Sequence, residues 1–311
     1  MRLVTRADFD GLVCGALITK FENIDSYLFV EPKFIQDGLV EVRNGDIIAN
    51  LPYHSNCSLW FDHHITNTTP HFDRPIMPGK GGFRLAPSAA RVVCEYYTET
   101  STPNDPDGAA RLAFLNSERI RDLLEEADKI DAGKLARDEV LNPQGYVLIS
   151  MTTDGRNAGD EPYWLRVIEL LREECLENML NDSEVKRRCQ QVLDDQEQLR
   201  KILLQRTTMK GNVIYVDLRG IQIPDGNRFL VFTLFPQGNI QVKVADDTQR
   251  PNTTSISVGY NIFNPTSKVN VGELLQRYGG GGHRVVGSCR VPNDKAEQAI
   301  KEIVETVTEK V

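Results

Sequence analysis

The sequence predicts an N-terminal α/β domain built on a parallel sheet, joined by a helical connector to a smaller α+β C-terminal domain. Three observations carry this reading. Up to about residue 145, short apolar runs alternate with helical stretches, as βα units do. A long charged segment, Ser183 to Arg206, places Val185, Val192 and Leu199 seven apart, with Cys189 and Leu203 on the adjoining stripe, as a helix packed on one face would. Beyond Arg206 the pattern changes to closely spaced strands. With 311 residues and 40% apolar content, the chain supports two ordinary cores. The expected boundaries are residues 1–182, 183–206 and 207–311.

In chain order, strands are expected at Arg2 to Thr5, Ser26 to Val30, Asp46 to Ala49 and Ser58 to Phe61. A helix follows the first strand from Gly11 to Phe21, with Leu12, Ala16 and Phe21 inward, and another runs from Ser88 to Tyr97 after the Pro87 start signal. A third helical region, Asp107 to Lys134, carries Leu112, Leu115, Ile120, Leu123, Leu124, Ala127 and Ile130 at helical spacing and stops at Gly133. After the connector, strands are expected at Val213 to Leu218, Phe229 to Phe235, Ile240 to Val244 and Ser255 to Tyr260, with Pro236-Gln237-Gly238-Asn239 as a hairpin turn. A short helix at Val271 to Tyr278, a glycine run, a strand at Val285 to Val291 and a helix from Asp294 to Val311 complete the second domain. The proline- and glycine-rich stretch from His71 to Pro87 is too long for a simple βα turn and is expected at the rim of a site.

A net charge of -8 argues against a broad basic nucleic-acid surface, so any nucleotide ligand is expected to be short. The six cysteines contain no C-x-x-C pair and suggest neither a zinc knuckle nor a disulfide framework. There is no apolar signal core and no stretch of membrane-spanning length, so the cytoplasm is the expected compartment.

Chemistry concentrates in four places. Asp62-His63-His64 ends the apolar run Leu59-Trp60-Phe61 and delivers an acid and two imidazoles to a sheet edge, which suits a divalent metal. Asp8 and Asp10 follow the first strand, two apart; carboxylates that close favour a shared cation or a raised pKa, whereas the alternative is a helix N-cap. Asp128 and Asp131 share a helix face, where they close a metal site or belong to a solvated surface. Gly279-Gly280-Gly281-Gly282-His283, flanked by Arg277 and Arg284, reads as a phosphate-binding turn or as a flexible link. Ser257, Tyr260 and Asn261 either add contacts there or are ordinary strand and turn positions.

In order and spacing, Arg6-Ala7-Asp8-Phe9-Asp10-Gly11, Asp62-His63-His64, Pro87-Ser88-Ala89-Ala90 and the Gly279 to His283 run resemble the DHH phosphoesterase superfamily with its associated C-terminal domain, across nearly the whole chain. The resemblance implies a metal-dependent phosphohydrolase acting in an interdomain cleft on polyphosphate, a short oligonucleotide or a dinucleotide. It implies metal ligation by Asp8, Asp10, Asp62, His63 and Asp128, with Asp131 as the alternative to Asp128, and catalysis by Asp62, His63 and His64; Arg6, which departs from the family pattern, is a further expected catalytic residue, stabilising phosphate directly. Gly280, Gly281, Gly282, His283 and Arg284 are the implied substrate contacts, manganese or magnesium the implied metal, and a homodimer an allowed assembly. Where many members carry histidine and aspartate, this chain has Arg6 and Asn50, which points to one ion rather than two, with Arg6 in the space of the missing one. The alternative is a protein on the same scaffold that binds a phosphorylated ligand without hydrolysing it.

Overall fold

A computed structural model describes residues 1–64, 80–153, 155 and 158–309. The first sheet has the order β2-β1-β3-β4-β5, formed by β1 (Arg2–Thr5), β2 (Ser26–Phe29), β3 (Ile47–Ala49), β4 (Leu59–Asp62) and β5 (Gly81–Phe83), with every pairing parallel. Parallel strands covered on both faces carry unbroken apolar runs. Leu3, Val4, Ile47, Ile48, Ala49, Trp60 and Phe61 are accordingly buried. The order has one topological switch: from β1 the chain moves outward to β2 and then returns to β3 on the other side. In open α/β sheets ligands bind at such a switch, outside the carboxyl ends of the strands.

Helix α1 (Phe9–Ile18) is buried along its whole length and packs against α3 (Ala89–Thr100), α5 (Glu118–Asp131) and α8 (Glu161–Glu173). An all-round apolar helix belongs inside a layer rather than on its surface. On the opposite sheet face, α2 (Pro32–Gln36) contributes Ile35 to a cluster with Val4, Ile48 and Trp60. The single helical region expected from Asp107 to Lys134 is two helices, α4 (Pro106–Leu115) and α5. Ser117 makes the break: its hydroxyl donates to the Phe114 carbonyl and accepts from the Ile120 amide, capping α5. After α6 (Arg137–Leu141) and α7 (Gly145–Ser150), a 3₁₀ turn at Ala158–Asp160 leads into α8, then α9 (Leu176–Asn181) and α10 (Ser183–Arg206).

The chain divides into two units, Met1–Leu135 with Gln144–Gln190 and Ala136–Pro143 with Gln191–Val311, so α10 is shared between them. The heptad residues Val185, Val192 and Leu199 are buried, as are Cys189 and Leu203.

The second unit holds a mixed sheet ordered β10-β11-β9-β8-β7-β6. Its strands are β6 (Thr207–Lys210), β7 (Val213–Asp217), β8 (Ile240–Asp246), β9 (Thr253–Tyr260), β10 (Gly281–Gly282) and β11 (Val286–Pro292). Alternate residues of β8 and β9, including Val242, Val244, Ile256 and Val258, are buried in one core with residues of α12 (Val271–Gln276) and α13 (Asn293–Val307). The expected strand from Phe229 to Phe235 is instead helix α11 (Leu230–Leu234), so Pro236 to Asn239 joins a helix to β8 and is no hairpin, while β7 and β8 pair in parallel. Parallel neighbours need a crossover, and α11 lies within it.

The Val311 end of the expected last helix, and the part of the expected rim from His71 to 79, lie outside the described residues. All six cysteines are free thiols. Among the described residues no helix is long and apolar enough to cross a membrane.

Candidate functional site

The carboxyl ends of β1, β3 and β4 deliver, respectively, Arg6 to Asp10, Asn50 and Asp62 to His64. Asp10 is buried inside the first turn of α1, where its two oxygens accept from the amides of Ala89 (2.8 Å) and Ala90 (2.9 Å) at the start of α3. A helix N-terminus favours a carboxylate. Burial, followed by the charges of Asp131 and Asp8, nevertheless pushes the Asp10 carboxyl well above its ordinary pKa. That excess of negative charge has a natural remedy in a cation.

The His63 ring supplies the matching donor. Its Nδ1 lies 2.9 Å from the Ala86 carbonyl, which can only accept, so Nδ1 carries the proton and Nε2 the lone pair in the neutral ring. Nε2 sits 3.4 Å from Asp131 Oδ2 and 3.9 Å from Asp10 Oδ2, and is buried without a hydrogen-bond partner among the described residues. One potential ligand atom from each of Asp10, His63 and Asp131 lies within 4.8 Å of the other two, and the same holds for Asp62, His63 and His64. Asp62 Oδ1 accepts from the His63 amide (2.8 Å), the His64 amide (3.2 Å) and His64 Nδ1 (2.9 Å). Its Oδ2 is buried with no hydrogen-bond partner among the described residues. Buried acceptors without partners cost roughly 1–3 kcal/mol each. An imidazole nitrogen facing carboxylate oxygens fits manganese, magnesium or zinc, so these residues suit a divalent ion. The hydrogen bond to Asp62 raises the His64 pKa against the opposing effect of burial.

Asp8 has different company. Its Oδ1 accepts from the Gly11 amide at 2.9 Å, which caps α1, and from Asn50 Nδ2 at 3.0 Å; its Oδ2 pairs with Arg6 Nη1 at 2.7 Å. The guanidinium also reaches Glu31 Oε2 at 3.2 Å. Burial opposes the charge of Arg6, but Asp8, Glu31 and Asp131 together hold its pKa above the ordinary value.

In the second unit, the glycine run reverses the chain from α12 into β10 and pairs with β11 through Gly281–Ser288 and Gly282–Gly287. A Cβ at Gly280 would fall 2.3 Å from the Ser288 carbonyl oxygen, and one at Gly282, whose φ is 147°, 2.3 Å from that of Val286. Close packing therefore accounts for these glycines without reference to a ligand. The amides of Gly279, Gly280 and His283 donate to chain carbonyls, while the His283 and Arg284 side chains are exposed.

No protein-family model and no curated protein matches the chain. Among solved structures it is similar to the pGpG-specific phosphodiesterase PggH from Vibrio cholerae, with 32% identity, 98% of each chain covered and a TM-score of 0.80. The chain belongs to the DHH phosphoesterase superfamily. An exopolyphosphatase-related protein from Bacteroides fragilis (10% identity, 99% of this chain and 93% of that one, TM-score 0.53) has the same fold. So does RecJ from Thermus thermophilus in complex with Mn²⁺ (14% identity, 100% of this chain and 52% of that one, TM-score 0.56).

Within this DHH protein the sequence-expected residues separate into groups. Asp10, Asp62, His63 and His64 come together, and Asp131 joins them. Asp128 is drawn elsewhere: Arg91 holds its Oδ2 through Nη2 (2.6 Å) and Nε (3.0 Å), and the Ser88 hydroxyl donates to its Oδ1 at 2.6 Å. Arg6 and Asp8 pair with each other and, through Asp8, with Asn50. Tyr260 and Asn261 serve the fold, with the Tyr260 hydroxyl donating to the Val269 carbonyl and Asn261 Nδ2 to that of Gly238. Glu31 and the Ala86 carbonyl were not foreseen. Glu31 precedes Pro32 just after β2, and a carboxylate at a strand end facing the Arg6 loop was its only available signal.

The two packing roles in the DHH glycine turn are separable. Gly282→Ala is expected to lower the stability of the second unit by about 2 kcal/mol or more, because both its left-handed backbone and the nearby Val286 carbonyl oppose a side chain. Gly281→Ala meets open space and is expected to cost less than about 1 kcal/mol. Urea unfolding followed by circular dichroism distinguishes them, and equal losses would remove the steric explanation.

Proposed function

We propose that this chain is a metal-dependent phosphodiesterase acting on short linear dinucleotides that carry a 5′-phosphate, the class to which the pGpG of the Vibrio relative belongs. The observation that carries the reading is the Asp10, His63 and Asp131 cluster at the sheet's switch point, with the lone pair of His63 Nε2 buried and unclaimed among the described residues. The similarity to PggH over the whole chain supports the substrate class. A net charge of -8 favours a small phosphorylated ligand over extended nucleic acid.

Asp10, His63 and Asp131, with Asp62 beside them, would hold manganese or magnesium. Such an ion, when bound, makes water acidic enough to act as a nucleophile and offsets charge on phosphoryl oxygens. The remaining work belongs to side chains of the protein. Ala86 and Asp62 fix the two imidazoles through their Nδ1 atoms, so neither ring reorients as substrate arrives. His64, its pKa raised, donates from Nε2 to a phosphoryl or leaving oxygen. Arg6 adds a permanent positive charge at the strand end.

Hydrolysis of pGpG consumes one water and yields two molecules of guanosine monophosphate. Purified protein incubated with Mn²⁺ and a panel of pGpG, other 5′-phosphorylated dinucleotides, longer oligonucleotides and polyphosphate should release mononucleotide from the dinucleotides, and a chelator should stop it. Tight dinucleotide binding with no release at saturating Mn²⁺ would establish the non-hydrolytic binding protein instead.

A further inference from the structure

Two carboxylates that leave the same strand end two residues apart both accept from backbone amides, Asp10 from Ala89 and Ala90 and Asp8 from Gly11, but differ in what else faces them. Around Asp10 are the groups a cation needs, a histidine lone pair and the Asp131 carboxylate. Among the described residues, the hydrogen bonds and the ion pair of Asp8 all come from donors: the Gly11 amide, the Asn50 side-chain amide and the Arg6 guanidinium. The orientation of Asn50 follows from chemistry, because an ionised carboxylate only accepts, so Nδ2 must face it and Oδ1 must turn away. Asn50 is fully buried, holds a left-handed backbone with φ of 58°, and leaves Oδ1 without a hydrogen-bond partner among the described residues. A metal ion approaching Asp8 would meet N–H groups and a guanidinium 2.7 Å from the carboxylate, where ligation requires lone pairs and where like charge repels it.

Resting on the metal-dependent reading above, we propose that the chain binds one divalent cation, held by Asp10, His63 and Asp131, and that Arg6, with Asn50 orienting Asp8, is a built-in replacement for a second. The guanidinium supplies fixed positive charge that neither dissociates with dilution nor responds to a chelator. Asp8 is then a positioning residue: it caps α1 and anchors the guanidinium.

The test counts ions on the full chain, by calorimetric titration with Mn²⁺ and by the electron paramagnetic resonance signal of unbound Mn²⁺, with circular dichroism as the check on folding. Wild-type protein should saturate at one ion. Asp8→Asn retains a capping oxygen and should still take one, with affinity within about fivefold, the scale of a removed surface charge. Asp131→Asn should weaken binding by about 100-fold or more. The double variant Arg6→Ala with Asn50→Asp should saturate at two. Two ions on the wild-type chain, or loss of the ion in Asp8→Asn, would overturn the proposal while leaving metal dependence intact; one ion on a folded double variant would overturn the role given to Arg6. Wild-type protein that takes no ion would overturn the metal-dependent reading and this proposal with it.

Discussion

Replacing His63 with alanine should lower turnover of a susceptible dinucleotide by about 10³-fold, equivalent to roughly 4 kcal/mol of lost transition-state stabilisation. The ring is tied to the Ala86 carbonyl through Nδ1, and its other nitrogen faces Asp131 and Asp10 from a buried position. Alanine removes the only nitrogen lone pair in that cluster and leaves two carboxylates close together. Mn²⁺ affinity should therefore fall along with activity, whereas the fold should change little, since the Ala86 carbonyl loses a single donor. Initial rates measured against Mn²⁺ concentration separate these effects. Wild-type Mn²⁺ affinity in the variant would remove His63 from the ligand set.

Asp10→Ala should combine a comparable loss of activity with a loss of stability. The carboxylate accepts from the first two amides of α3, groups that have no partner within their own helix. Leaving both unsatisfied in a buried position costs roughly 1–3 kcal/mol each. Removal of a strongly desolvated carboxyl returns part of that, so about 2 kcal/mol is the expected net loss. The unfolding midpoint in urea should shift accordingly for the first unit, while the second unit's transition stays in place. Asp10→Asn keeps one acceptor and should recover about half of the stability without recovering activity. An unchanged midpoint in Asp10→Ala would mean that solvent satisfies the α3 amides.

How much of this could be read from residues alone depends on the range over which each feature is determined. Asp62-His63-His64 at a strand end is local, since an apolar run must stop where polar side chains begin, and β4 ends at Asp62. The acidic pair after β1 is equally local. Its two members nevertheless differ in role because of Arg6, Asn50 and His63, and no neighbouring-residue rule assigns Asp8 to a helix cap and Asp10 to the cluster. Asp128 and Asp131 share a helix face; what separates them is Arg91, which lies 37 positions before Asp128 and claims it. The α11 error is of another kind. An apolar run of the length of Phe229 to Phe235 satisfies a buried strand and a buried helix equally, and only the parallel pairing of β7 with β8 decides between them. In the glycine turn, composition suggested anion binding, while the close backbone approaches show that packing alone requires Gly280 and Gly282.

The left-handed backbone at Asn50 narrows what evolution can place there. Glycine, asparagine and aspartate are the residues that accept such a conformation readily. Glycine would abandon the amide that holds Asp8, and aspartate would face Asp8 with a second negative charge. The permitted alternatives at this position thus differ in charge far more than in shape, and the neutral amide is the one that leaves Arg6 and Asp8 as a balanced pair. Among relatives with this backbone, positions 6 and 50 should covary: arginine travels with asparagine, and an aspartate at 50 arrives only when the guanidinium at 6 is lost.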